Sequence, residues 1–231
     1  MHTTNIKIMK TFFKIFSLSI LWFLVWAIFA FYLQPQGIDY SNNYLLTVIY
    51  FLLLIVALTS IFKKQMDGYI ENFSPKDLLA MVIFSVGVSL LYYIISIVSA
   101  GSPLNAIKSG LPSILQLDER FFIAKAFDIM FQQAFFMISI YYLFDNNVKK
   151  STDMLLFGLY VMIIHFPILF MDSPMGKIFF MSSFFAGLIF SYCITKSKKG
   201  FIYSYMVHFG FYVILAAVFW LGGAKYIAGL I

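Results

Sequence analysis

The chain has 231 residues, of which 62% are hydrophobic, 20% aromatic and 11% charged. A soluble domain is about 45–50% apolar and about 25% charged, so this composition lacks the polar surface that a water-exposed fold needs. The net charge of +6 sits in short basic clusters between apolar blocks, a pattern of membrane topology and anionic-lipid contact, not of nucleic-acid binding.

Crossing a bilayer core about 30 Å thick takes roughly 20 apolar residues of helix. The apolar blocks do not alternate in polarity as barrel strands do, and in lipid each backbone polar group must be paired. The fold class is therefore an all-α, polytopic transmembrane helical bundle with about seven spans in a single domain, residues 1–231.

The first span is predicted at 11–33, behind Lys7, Lys10 and Lys14. It is longer than a signal-peptide core and reads as a retained helix. The stretch 34–43, with Pro35, Gly37 and two asparagines, is a turn signal. A second span at 44–62 ends at Lys63-Lys64, and a loop is expected through Asp67, Gly68, Glu71 and Pro75. The third span is 78–98. A connection, 99–122, follows, rich in glycine and proline and with room for an interfacial helix. Spans at 123–144, 154–171, 178–195 and 201–221 complete the set, separated by Asp145-Asn146-Asn147, Asp172-Ser173-Pro174 and Lys196–Lys199. Cys193 lies inside an apolar block; as the single cysteine it excludes an internal disulfide.

Placing the amino terminus in the cytoplasm puts Lys7, Lys10, Lys14, Lys63, Lys64, Lys76, Lys149, Lys150, Lys196, Lys198 and Lys199 inside. That leaves Lys108, Arg120, Lys125, Lys177 and Lys225 outside, an eleven-to-five asymmetry in the 16 basic residues. The positive-inside rule favours this orientation, and the expected location is the plasma membrane of a prokaryote.

Strongly polar side chains at membrane depth are costly and mark function by default. In most spans these are serines and threonines able to bond their own helix. The fourth span carries Lys125, Asp128, Gln132 and Gln133, the fifth His165, and the seventh His208 with Tyr212 one turn on. Asp128 and Gln132 share a face, and Lys125 is placed to pair with Asp128 or to snorkel to the nearby water. The two glutamines point about 100° apart, too far for one structural contact. Gln132 lies about 14 Å from the outer end of its span and His208 about 11 Å from the inner end of its own, a small mismatch of depth in a core of about 30 Å that tilt can remove. Gln132, His165 and His208 are expected to share one polar pocket.

This order of features resembles the CPBP family, the CAAX-protease and bacteriocin-processing intramembrane proteins. Their pattern is Glu-Glu-x-x-x-Arg, then Phe-x-x-x-His, then a histidine followed four residues later by asparagine or a similar residue. Here it falls on Gln132-Gln133-Ala134-Phe135-Phe136-Met137, on Val161-Met162-Ile163-Ile164-His165 and on His208-Phe209-Gly210-Phe211-Tyr212. The resemblance covers 127–212. It implies that Gln132, Gln133, His165, His208 and Tyr212 occupy the catalytic positions, with the first glutamate and the second-motif histidine activating water and the third motif stabilising the oxyanion.

Both glutamates are amides in this chain, and a glutamine cannot take a proton from water at neutral pH. The expectation is a catalytically impaired member that binds a membrane protein or peptide. An active endopeptidase using Asp128 as a displaced base with His165 and His208 is the alternative. A transporter or channel component is a third reading, against which stands the lack of an inverted repeat. No cofactor or metal is assigned.

Overall fold

The computed structural model describes residues 2–70, 73–98, 119–144, 150–170 and 174–218. Every regular element among them is helical. α1 is His2–Ile28 and runs on through a π-helical turn, Phe29–Leu33, and a 3₁₀ turn, Gln34–Gln36. Then come α2 (Tyr44–Ile61), α3 (Lys63–Ile70), α4 (Pro75–Val98), α5 (Glu119–Phe144) and α6 (Lys150–Ile164). A 3₁₀ segment, Phe166–Phe170, leads to α7 (Pro174–Lys196) and α8 (Gly200–Val218).

Five of these helices, α1, α2, α4, α5 and α7, are long and apolar enough to cross a membrane. α6 and α8 are apolar but shorter. α6 stops because Pro167 has no N–H to continue the ladder and its ring clashes with the preceding turn. The chain tightens at that point, with the Ile168 N–H bonded to the His165 carbonyl. The expected ends of the second polar stretch also shift. Lys63–Ile70, read as loop, is a helix, since Met66 is buried and Gln65 Nε2 donates to the Tyr142 hydroxyl on α5. The fourth span begins at Glu119 instead of 123; an acid in the first turn suits the positive end of the helix dipole. Residues 99–118, 145–149, 171–173 and 219–231, including the connection expected after the third span and the last residues of the seventh, lie outside the described residues.

α5 is the central helix. In its apolar window 83% of residues are buried, against 17–28% in the other four long helices. Around it the outer helices turn large apolar side chains outward: Phe12, Phe16 and Leu24 on α1, Leu45 and Leu53 on α2, Leu79, Ile83 and Leu90 on α4. A water-soluble monomer seldom exposes so continuous an apolar surface, whereas hydrocarbon solvates it at no cost. Serines and threonines behave as the sequence suggests, with Ser17, Ser85, Ser89, Thr59 and Thr195 donating to carbonyls one turn back.

α6 and α7 approach most closely where two glycines meet. A Cβ on Gly187 would stand 2.9 Å from the Gly158 Cα, so the crossing needs both side chains absent, as is common where membrane helices pack backbone to backbone. At the start of α4 Asp77 Oδ2 reaches back to accept from the Ser74 N–H at 2.9 Å and from the Ser74 hydroxyl at 2.8 Å, with Pro75 at the first helical position. Asp77 Oδ1 also pairs with Lys199 Nζ at 2.6 Å, tying α4 to the start of α8. Lys14 lies over the Tyr142 ring at 4.6 Å. One end of the bundle therefore gathers Lys14, Lys63, Lys64 and Lys199.

Candidate functional site

The opposite half of α5 carries the polar cluster. Asp128 is fully buried, and three donors converge on its carboxylate. Lys125 Nζ reaches Oδ2 at 2.6 Å, the Tyr40 hydroxyl reaches Oδ2 at 2.9 Å, and Gln132 Nε2 reaches Oδ1 at 2.7 Å. Lys125 is 1% exposed, so of the two roles open to it the pair is the one adopted, and snorkelling is not. Its ammonium also stands 4.6 Å from the Tyr212 ring centre and 5.0 Å from that of Tyr40, where the negative ring faces favour a cation.

Tyr40 comes from the stretch predicted as a turn. Gly37 takes φ +75°, the left-handed region that glycine enters freely. Asp39 Oδ1 accepts from the Ser41 and Asn42 N–H groups, and Thr47 Oγ1 donates to the Asp39 carbonyl. These bonds fold the connection back over the bundle and hold Tyr40 against Asp128.

The two glutamines part company. Gln132 faces Asp128 and a cavity of about 730 Å³, while Gln133 turns toward α8. Ser204 Oγ donates to Gln133 Oε1, and Gln133 Nε2 lies 3.0 Å from His208 Nδ1. An amide NH₂ can only donate, so Nδ1 of a neutral His208 is the acceptor and Nε2 carries the hydrogen. His165 is set the other way. Its Nδ1 lies 2.7 Å from the Val161 carbonyl, which can only accept, so its Nε2 is left as the acceptor. The ring also packs against Trp22, whose Nε1 donates to the Ile164 carbonyl and fixes the end of α6.

Gln132, His165, His208, Tyr212 and Lys125 all line this cavity. Asp128 and Gln133 do not; each stands one layer behind, bonded to a residue that does. Its remaining wall is mainly apolar, with Trp22, Trp26 and Phe31 on one side and Phe179, Phe185 and Ile189 on α7 opposite. Between described residues, α1 packs on α5 and α6 but has no substantial packing with α7 or α8. The cavity occupies that gap, and Phe31, Phe185 and Val207 at its border are exposed on the outer apolar surface.

No aspartate or glutamate among the described residues lines the cavity, and no cluster of three metal-ligating side chains occurs among them. Chemically, the arrangement offers hydrogen bonds and imidazoles in an apolar setting but no carboxylate in contact with a bound molecule. The sequence reading passed over Tyr40, Trp22, Trp26 and Ser204, which hold or complete the cluster. Comparison with known proteins yields no matching family, no similar curated protein and no similar solved structure.

Proposed function

We propose that the chain is a CPBP-type intramembrane protein that has lost peptidase chemistry and acts by binding a membrane protein or peptide at the mouth between α1 and α7. The observation that carries this reading is that His165, His208 and the amide of Gln132 line one cavity from which carboxylates are absent among the described residues. Asp128, the candidate displaced base, is held by three donors and stands behind Gln132, out of reach of a water in the cavity.

Seven crossings, with the amino terminus in the cytoplasm and the bundle in a prokaryotic plasma membrane, belong to the same proposal. The 15 residues of α6 and the five of the following 3₁₀ segment together rise about 32 Å. The 19 residues of α8 rise about 28 Å. Both lengths match a hydrocarbon core of about 30 Å. The basic end formed by Lys14, Lys63, Lys64 and Lys199 supports the orientation.

The test is a cleavage assay of the purified full chain in bilayers against a set of membrane peptides. It is run beside His165→Ala and the double variant Lys125→Met/Asp128→Asn, chosen so that no lone charge is left buried. No cleavage is expected, and a photocrosslinker at Phe31 or Phe185 should capture a polypeptide in cells. Robust cleavage by the wild type, lost in both variants, would overturn the reading.

A further inference from the structure

The size of the cavity limits its occupant. The cavity of about 730 Å³ has the size of pockets that enclose a small ligand, whereas a spanning helix is about 10 Å wide and 30 Å long. Such a helix suits the mouth better than the interior. An unwound polypeptide would bring one N–H and one C=O per residue, each in need of a partner. The wall supplies only a few of them. Ser182 and Ser183 donate to carbonyls of their own helix, those of Phe179 and Phe180, and Lys125 is neutralised by Asp128.

Among the described lining residues two polar atoms are buried without a partner: the Trp26 indole N–H and the Gln132 carbonyl Oε1. One is a donor and the other an acceptor. Gln132 is 3% exposed, and its terminal torsion is soft enough to aim the amide oxygen at a ligand. A hydroxyl both donates and accepts, so it suits a wall that holds one orphan of each kind, and the acceptor Nε2 of His165 adds a second site for its hydrogen. A charged head has no free counter-ion among the described residues of the wall, whose one cation is already paired. The apolar remainder, Phe179, Phe185, Ala186 and Ile189, suits a hydrocarbon chain, and the gap beside α1 lets it enter from the bilayer without crossing water. A volume near 730 Å³ lies within the ~300–1,000 Å³ of pockets that enclose most of a small ligand.

The geometry points to an uncharged, single-chain amphiphile with a hydroxyl head, of the monoacylglycerol type, as the ligand of the cavity. This goes beyond polypeptide binding at the mouth and holds whether or not a polypeptide docks there. Moving the chain from bilayer to cavity exchanges one apolar setting for another, so selectivity falls to the head. One hydrogen bond corresponds to about a fivefold preference.

The full chain is reconstituted in phosphatidylcholine vesicles, which hold no polypeptide partner. A monoacylglycerol with a diazirine in its chain is added and illuminated, and adducts are mapped by mass spectrometry. Adducts are expected on Trp22–Ala30 and Phe179–Ile189, displaced by unlabelled monoacylglycerol. The matching methyl ester, which cannot donate, should label that wall about fivefold less. Ala186→Trp, which fills the cavity, should abolish wall adducts, and Leu53→Trp on the outer face should leave them unchanged. Should Ala186→Trp fail to fold, Gln132→Met and the methyl ester on wild type still decide, each lowering the signal about fivefold. Labelling spread evenly over Phe12, Leu53 and Leu90 as well as the wall would mean annular lipid only and would overturn the assignment. Equal labelling by ester and alcohol would overturn it too.

Discussion

Replacing Asp128 by asparagine keeps the shape of the side chain and removes its charge. The single amide oxygen keeps an acceptor for either Tyr40 or Gln132, which bond different carboxylate oxygens, and Lys125, 1% exposed, loses its counter-ion. Breaking a buried ion pair from one side costs about 3–5 kcal/mol, because the remaining charge is left uncompensated. For a chain of this size about 2–4 °C accompanies each kcal/mol, so thermal unfolding in detergent or nanodiscs should fall by about 6–20 °C. The cation–π contacts to Tyr212 and Tyr40 contribute about 1–2 kcal/mol each when desolvated, which favours the lower half of that range. Lys125→Met alone should be comparably harmful, since it strands the carboxylate. The double variant Lys125→Met/Asp128→Asn removes both charges and should be no worse than the milder single one. A drop below about 2 °C for Asp128→Asn, or strict additivity in the cycle, would refute the view that these two residues act as one neutral unit.

Tyr40→Phe removes one charge-assisted hydrogen bond to Asp128 and should cost about 1.5–3 kcal/mol by the same thermal measurement. Gly187→Leu should force α6 and α7 apart and either prevent folding or lower the midpoint by several degrees, whereas Gly68→Ala, in open space, should stabilise slightly. In a Cys193→Ser background, single cysteines at Lys64, Lys150 and Lys198 should resist an impermeant thiol reagent in intact cells; ready labelling at two of the three sites refutes the orientation.

Much of the cluster was legible because hydrocarbon makes polar groups conspicuous. Asp128, Gln132, Gln133, His165 and His208 stand out against apolar neighbours, and their order along the chain marks three helices. The sequence picks Gln132 for the cavity, but the partners of Gln133 were not legible. The 100° between them separates their directions, but only the packing of α8 decides that Gln133 takes Ser204 and His208. Tyr40, Trp22 and Trp26 carried no signal, because aromatics make up 20% of the chain and none is costly in lipid. Tyr40 is brought inward by Gly37 and Asp39 acting together, a tertiary outcome of a stretch that locally reads only as a turn. α3 was missed for a related reason: Lys63–Ile70 has the polarity of a loop, and its helix is secured by Gln65 and Met66 against α5.

The π-helical turn at Phe29–Leu33 separates the residue count of α1 from its rotation. A π turn carries an extra residue without the usual advance, so everything beyond it is rotated by up to about 100° relative to a straight α-helix of the same sequence. Phe29, 2% exposed, faces the Tyr40 ring at 5.3 Å, while Phe31 is 84% exposed. Behind them the chain leaves toward Gly37 at the angle that brings Tyr40 onto Asp128. Removing a single residue such as Ala30 would let α1 run straight and would swing that connection off the buried carboxylate. The first span thus tolerates changes of side chain on its lipid face far better than a change of one in its length, and the polar cluster is keyed to where α1 ends as much as to what it contains.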